Sequence, residues 1–107
     1  MKSIQNANIK RLGNGITLVS INDPKSYNSL STVTLKSLLK IFQKLDKDNL
    51  TKVIILEGAG NGFSAGHNLK EVKGLKKRSK YLSLFNLCSK LMMQIVNGKK
   101  PVIAKVH

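Results

Sequence analysis

The chain has 107 residues, room for one domain and not two, and its 41% hydrophobic content suits a folded core rather than a disordered tail. The longest apolar run, Val53–Leu56, is far too short to cross a bilayer, no signal-like run follows Met1, and the single cysteine, Cys88, excludes an internal disulfide. The 19 Lys and Arg against 5 Asp and Glu give a net charge of +14, which favours anionic partners. Lysine far outnumbers arginine and is spread along the chain, whereas nucleic-acid surfaces cluster their cations and draw on arginine for planar contacts. Nucleic acid is therefore the weaker reading, and an anionic cofactor the stronger.

In chain order, the first feature is a hairpin. Ile4–Leu12 and Ile16–Asn22 flank Asn14-Gly15, a pair suited to the two positive φ angles of a type I′ turn. The second strand is apolar on both of its faces at the centre, which predicts burial on both sides. Asp23-Pro24-Lys25 breaks it. Ser31 is placed to cap a helix running to about Lys47, with Leu35, Leu38, Leu39, Phe42 and Leu45 on one face and Lys36, Lys40, Lys44 and Lys47 mainly off it. Lys52–Glu57 is a short continuous apolar strand, and a helix between two strands predicts a crossover and parallel pairing.

After the glycine-rich Gly58–Gly62 the pattern predicts a short helix from Asn68 to about Val72, ended by Gly74. A longer helix follows from about Lys77 to Val96. Its apolar face reads Tyr81, Leu84, Phe85, Cys88, Leu91, Met92, Ile95 and Val96, with Asn97-Gly98 as the stop. Cys88 reads as an inert core thiol, and Met92 and Met93 as packing. Pro101–Val106 reads as a last buried strand, after which the architecture is expected to be incomplete.

The segment Gly58–Glu71, GAGNGFSAGHNLKE, carries the chemistry. A strand, a glycine-rich turn and a helix start leave backbone N–H groups unpaired and pointing outward, with the helix dipole adding positive potential. Such a place binds a phosphate, a carboxylate or an oxyanion. The spacing matches neither GxxxxGK[ST] nor GxGxxG, since Phe63 stands where the second pattern needs glycine. On these residues alone a structural turn and an anion site are equally good readings.

FSAGHNLKEV resembles the signature of the crotonase (enoyl-CoA hydratase/isomerase) superfamily: an aromatic residue, two small residues, glycine, any residue, Asp, Leu, Lys, Glu and an apolar residue. Pro24, Asn28 and Leu30 in GITLVSINDPKSYNSLS resemble the family's Pro-x-x-x-Asn-x-Leu entry. KVIILEGAGNGF and KPVIAKVH resemble strands on either side of its site. The resemblance covers nearly the whole chain. Gly66-His67 and the stretch Cys88–Met93 resemble most the enoyl-CoA hydratase domain-containing subgroup.

The resemblance implies an α/β fold, the N-terminal part of the ClpP/crotonase-like ββα spiral, with residues 1–107 as a truncated N-terminal half-domain. It also implies a coenzyme A thioester as ligand and lyase or isomerase chemistry in fatty acid metabolism. By the same resemblance the His67 backbone N–H is the first oxyanion-hole donor, Ala65 and Gly66 line the thioester and the adenine, and Lys25 and Lys70 meet CoA phosphates. Two departures stand out. Asn68 replaces the signature aspartate, keeping the cap and losing a charge. The second oxyanion donor and the acid/base glutamates fall, in the family, beyond the position of His107, and none of Asp23, Asp46, Asp48, Glu57 and Glu71 takes their place. One missing donor costs ~10²–10³ in rate and a missing general acid or base roughly another 10²–10⁴. Hydratase activity by this chain alone is not expected.

His67 and His107 have no third ligand suitably placed for a metal site, and His67 as a general base is a weaker reading than its N–H. The competing functions are a non-catalytic acyl-CoA-binding or interaction module and a basic nucleic-acid-associated protein. Expected partners are acyl-CoA and either self-association or a separately encoded C-terminal half, with no membrane. Met1–Leu12 lacks acids, as a transit peptide would, but it reads as the first strand, and the expected location is the cytoplasm of a bacterium.

Overall fold

The structure is a computed structural model and describes residues 2–23, 28, 30–58 and 78–105. Five strands and two helices follow in the order β1 (Lys2–Ile4), β2 (Ala7–Gly13), β3 (Ile16–Ile21), α1 (Thr32–Asp46), β4 (Val53–Gly58), α2 (Arg78–Asn97) and β5 (Val102–Lys105). They form one sheet in which the strands lie in sequence order. The first two pairings are antiparallel and the last two parallel. This is the mixed α/β architecture expected, with α1 making the crossover between the parallel pair β3 and β4.

The hairpin closes as predicted. Asn14 and Gly15 have φ of 55° and 81°, and Gly13 pairs with Ile16. Gly15 is fixed from two sides. Its carbonyl accepts from Lys52 N (2.7 Å) and Val53 N (3.0 Å), and a Cβ there would meet Lys52 Cγ at 2.8 Å. The expected single strand Ile4–Leu12 is instead two strands. Asn6 takes φ of 62° and turns the chain, its carbonyl accepts from Asn22 N (2.7 Å), and its side chain donates to Thr34 Oγ1 (3.2 Å). Asparagine tolerates that left-handed conformation better than most residues do.

Helix α1 starts where Ser31 caps it, with Ser31 Oγ accepting from Thr34 N at 3.3 Å. Leu35, Leu38, Phe42 and Leu45 are buried as the spacing predicts, Leu39 is only partly so, and Ile41 joins them at 0% exposure. Lys36, Lys40, Lys44 and Lys47 face outward. On the sheet the same core takes Ala7, Ile9, Val19, Ile21 and Ile54, and from α2 it takes Leu84 and Leu91.

Those sheet residues share one face, so both helices cover the same side. That corrects the expectation of strands buried on both sides. Along β3, Thr17, Val19 and Ile21 are buried while Ile16, Leu18 and Ser20 stay half-exposed. In β4 Ile54 is buried and Ile55 only partly so. In β5 the difference is larger. It lies at the sheet edge, Val102 is half-buried and Ile103 is 56% exposed. Helix α2 also differs in detail. Leu87, absent from the predicted face, packs on the core beside Cys88 and Ile95, whereas Phe85, Met92, Met93 and Val96 are exposed, so neither methionine is core packing.

Candidate functional site at the carboxyl ends of the parallel strands

Ile21 pairs with Gly58, and Glu57 pairs with Lys105. The three parallel strands therefore end at one level. Adjacent strands lie about 4.8 Å apart, so the chain leaves β3 and β4 from neighbouring points on one edge of the sheet. Crevices outside the carboxyl ends of such strands are where open α/β sheets bind ligands. The segment after β3 holds Lys25, and the segment after β4 holds Ala65, Gly66, His67 and Lys70. All five of these expected site residues lie outside the described residues, as does the short helix expected at 68–72. What the structure gives is their points of departure.

The first departure is braced. Asn28 is 1% exposed and sits at φ of 55°. Its side-chain Oδ1 accepts from Asp23 N at 2.7 Å, and its own N–H donates to the Asp23 carbonyl at 2.8 Å. This two-bond clamp closes the loop that contains Pro24 and Lys25. Asparagine suits position 28 because it supplies both the acceptor and the tolerated backbone angle.

Across the strand ends lies a polar row that the sequence reading did not single out. Ser20 Oγ donates to Glu57 Oε1 at 2.9 Å, and Lys105 Nζ stands 3.8 Å from Glu57 Oε2. All three residues occupy adjacent register positions on β3, β4 and β5. Only the parallel register brings them together, so the sole signal in the sequence was a polar residue next to last in β3 and β4 and last in β5. The Lys105 side chain is 67% exposed, and the ion pair adds little stability.

At the opposite end of the sheet the described residues make a connected set of polar contacts. Asp48 Oδ2 accepts from Thr51 Oγ1 (2.7 Å) and meets Arg11 Nη2 (2.7 Å). Thr51 Oγ1 lies 2.8 Å from Thr17 Oγ1, both threonines being buried. The Thr51 hydroxyl, the Leu50 N–H and Arg11 together hold the Asp48 carboxyl down at about 2. Lys100 Nζ donates to the carbonyls of Asp48 (2.9 Å) and Thr51 (2.5 Å). Asp46 Oδ1 accepts from Lys99 N at 2.6 Å.

Comparison with known proteins fits this arrangement. The profile for enoyl-CoA hydratase/isomerase matches residues 11–107. The chain belongs to that family. It is 40% identical over 94 residues to enoyl-CoA hydratase domain-containing protein 3, mitochondrial, from Xenopus laevis, covering 87% of this chain and 32% of that protein. With the human protein of the same name it is 43% identical over 94 residues, covering 87% and 31%. Its fold superposes on a crystal structure of enoyl-CoA hydratase from Mycobacterium smegmatis with a TM-score of 0.91 and 33% identity, over 95% of this chain and 40% of that one. The crotonase fold and the domain-containing subgroup expected from the signature are thus borne out. The chain spans about a third of the length of these two relatives. The expected bacterial cytoplasm is overturned, because relatives at 38–43% identity are vertebrate proteins whose names place them in mitochondria.

Proposed function

We propose that residues 1–107 form the acyl-CoA-recognising part of an enoyl-CoA hydratase/isomerase-type site. In this proposal the ligand is a coenzyme A thioester bound outside the carboxyl ends of β3, β4 and β5. The His67 N–H donates to the thioester oxygen as negative charge develops there, Ala65 and Gly66 allow close approach to the thioester and the adenine, and Lys25 and Lys70 pair with CoA phosphates. The second oxyanion donor and the acid/base carboxylates belong, in the proposal, outside residues 1–107. These residues by themselves therefore bind without hydrating or isomerising.

One observation supports the reading most. Pairing of Ile21 with Gly58 makes the Lys25 segment and the glycine-rich segment leave the sheet side by side, so both can reach one ligand. Family membership supports the ligand class. Calorimetric titration of the chain with crotonyl-CoA tests it. Saturable binding is expected, lost in Gly66→Val, with no hydration detectable by loss of the enoyl absorbance. Equal binding by Gly66→Val, or none by a folded chain, would contradict the proposal.

A further inference from the structure

The family signature accounts for two lysines, Lys25 and Lys70, and leaves most of the positive charge without a role. Among the described residues two ion pairs form, Arg11–Asp48 and Lys105–Glu57, and neither involves a lysine of the helices. A groove of about 520 Å³ between α1 and α2 gathers three of those lysines, Lys36 from α1 and Lys80 and Lys90 from α2. All three are exposed, and none makes an ion pair with a described residue. Ser83 and Asn86 add polar groups to the same wall, and among the described residues no carboxylate lines it.

The helix ends reinforce the charge. Thr32, the first residue of α1, and Lys80, in the first turn of α2, both line the groove, and neither helix has an acidic residue in its first turn. Both positive dipole ends therefore add to the lysine field instead of being neutralised. A second groove between the same helices, toward their other ends, differs by including Asp46 beside Lys90. The positive charge that no described carboxylate offsets thus lies in a concave place large enough for a small molecule.

We propose that this groove binds a small polyphosphorylated anion, at a site separate from the one that takes the CoA thioester. Two or three linked phosphoryl groups match three ammonium groups in charge, and each phosphoryl oxygen accepts readily from lysine, asparagine or a hydroxyl.

The test is calorimetric titration of the full chain with inorganic tripolyphosphate at low ionic strength. The expected result is saturable 1:1 binding, weakened by added salt and not displaced by saturating CoA. The double variant Lys36→Gln/Lys90→Gln should bind roughly tenfold more weakly. A charge-matched control, Lys10→Gln/Lys52→Gln, should bind as the parent does, with thermal melts checking that both doubles fold. Equal weakening in the two doubles would show general charge attraction and overturn the proposal. So would displacement by CoA, absence of binding, or an oligonucleotide that outcompetes tripolyphosphate at equal phosphate concentration, since that would make the surface a nucleic-acid one.

Discussion

The two ends of the parallel sheet are built differently. At the amino ends, Thr17, Thr51, Asp48 and Arg11 form one connected polar network, Lys100 adds two bonds to carbonyls, and Gly15 ties the hairpin turn to the start of β4. At the carboxyl ends, where residues 24–27, 29, 59–77 and 106–107 lie outside the described residues, the described contacts are the Asn28–Asp23 clamp and the Ser20–Glu57–Lys105 row. On the proposed reading ligand recognition falls to the carboxyl end, while the amino end carries the described polar network that supports stability. The buried Thr17–Thr51 pair ties the start of β3 to the residues that lead into β4.

Substitutions break or sharpen this contrast, and the largest effect is expected in the core at the amino end. Ile54 is 2% exposed and its N–H donates to the Pro101 carbonyl, so Ile54→Ala should cost about 2–5 kcal/mol in chemical denaturation. Its neighbour Ile55, half-buried on the open face, should cost less than half as much. Next comes the threonine pair. Thr51→Val leaves the buried Thr17 hydroxyl without its partner and takes one of the donors from Asp48, which keeps Arg11 and the Leu50 N–H, and should cost about 1–3 kcal/mol, while adding Thr17→Val should recover part of that in a double-mutant cycle.

The Asp48 carboxyl gives a pH test of the same end. Its value is lowered from 3.8 to about 2 by the Thr51 hydroxyl first, then the Leu50 N–H and Arg11. The folded state therefore favours the ionised form. The resulting stability is fully present above about 4 and is lost as pH falls from there toward 2. Melting temperatures measured from pH 5 to 2 should fall less steeply for Asp48→Asn than for the parent. The smallest effect is expected at the carboxyl end, where Glu57→Gln should change unfolding free energy by no more than about 1 kcal/mol. A large loss there would erase the distinction between the ends.

Much of the fold was legible in the sequence, and the illegible part has a physical cause. Asn14-Gly15, the Ser31 cap and the apolar spacing of Leu35, Leu38, Phe42 and Leu45 are local signals, and each element formed where they predict. The break at Gln5-Asn6 was missed because its stabilising bonds, to Asn22 and Thr34, come from residues distant in sequence. Burial of β5 was overestimated because an apolar run reports what a strand could bury, not whether anything covers it. At the site, the signature residues were readable by resemblance and fall outside the described residues. The Ser20–Glu57–Lys105 row was not readable, since it exists only once the parallel register is known.

The measurement that tests the division most directly is amide hydrogen exchange of the chain with and without saturating CoA. Protection is predicted across 21–30 and 58–77, the segments that leave the carboxyl ends, with 46–53 and 97–101 unchanged. Protection confined to 46–53 and 97–101, or none anywhere while CoA is bound, would contradict the assignment of ligand recognition to the carboxyl end of the sheet.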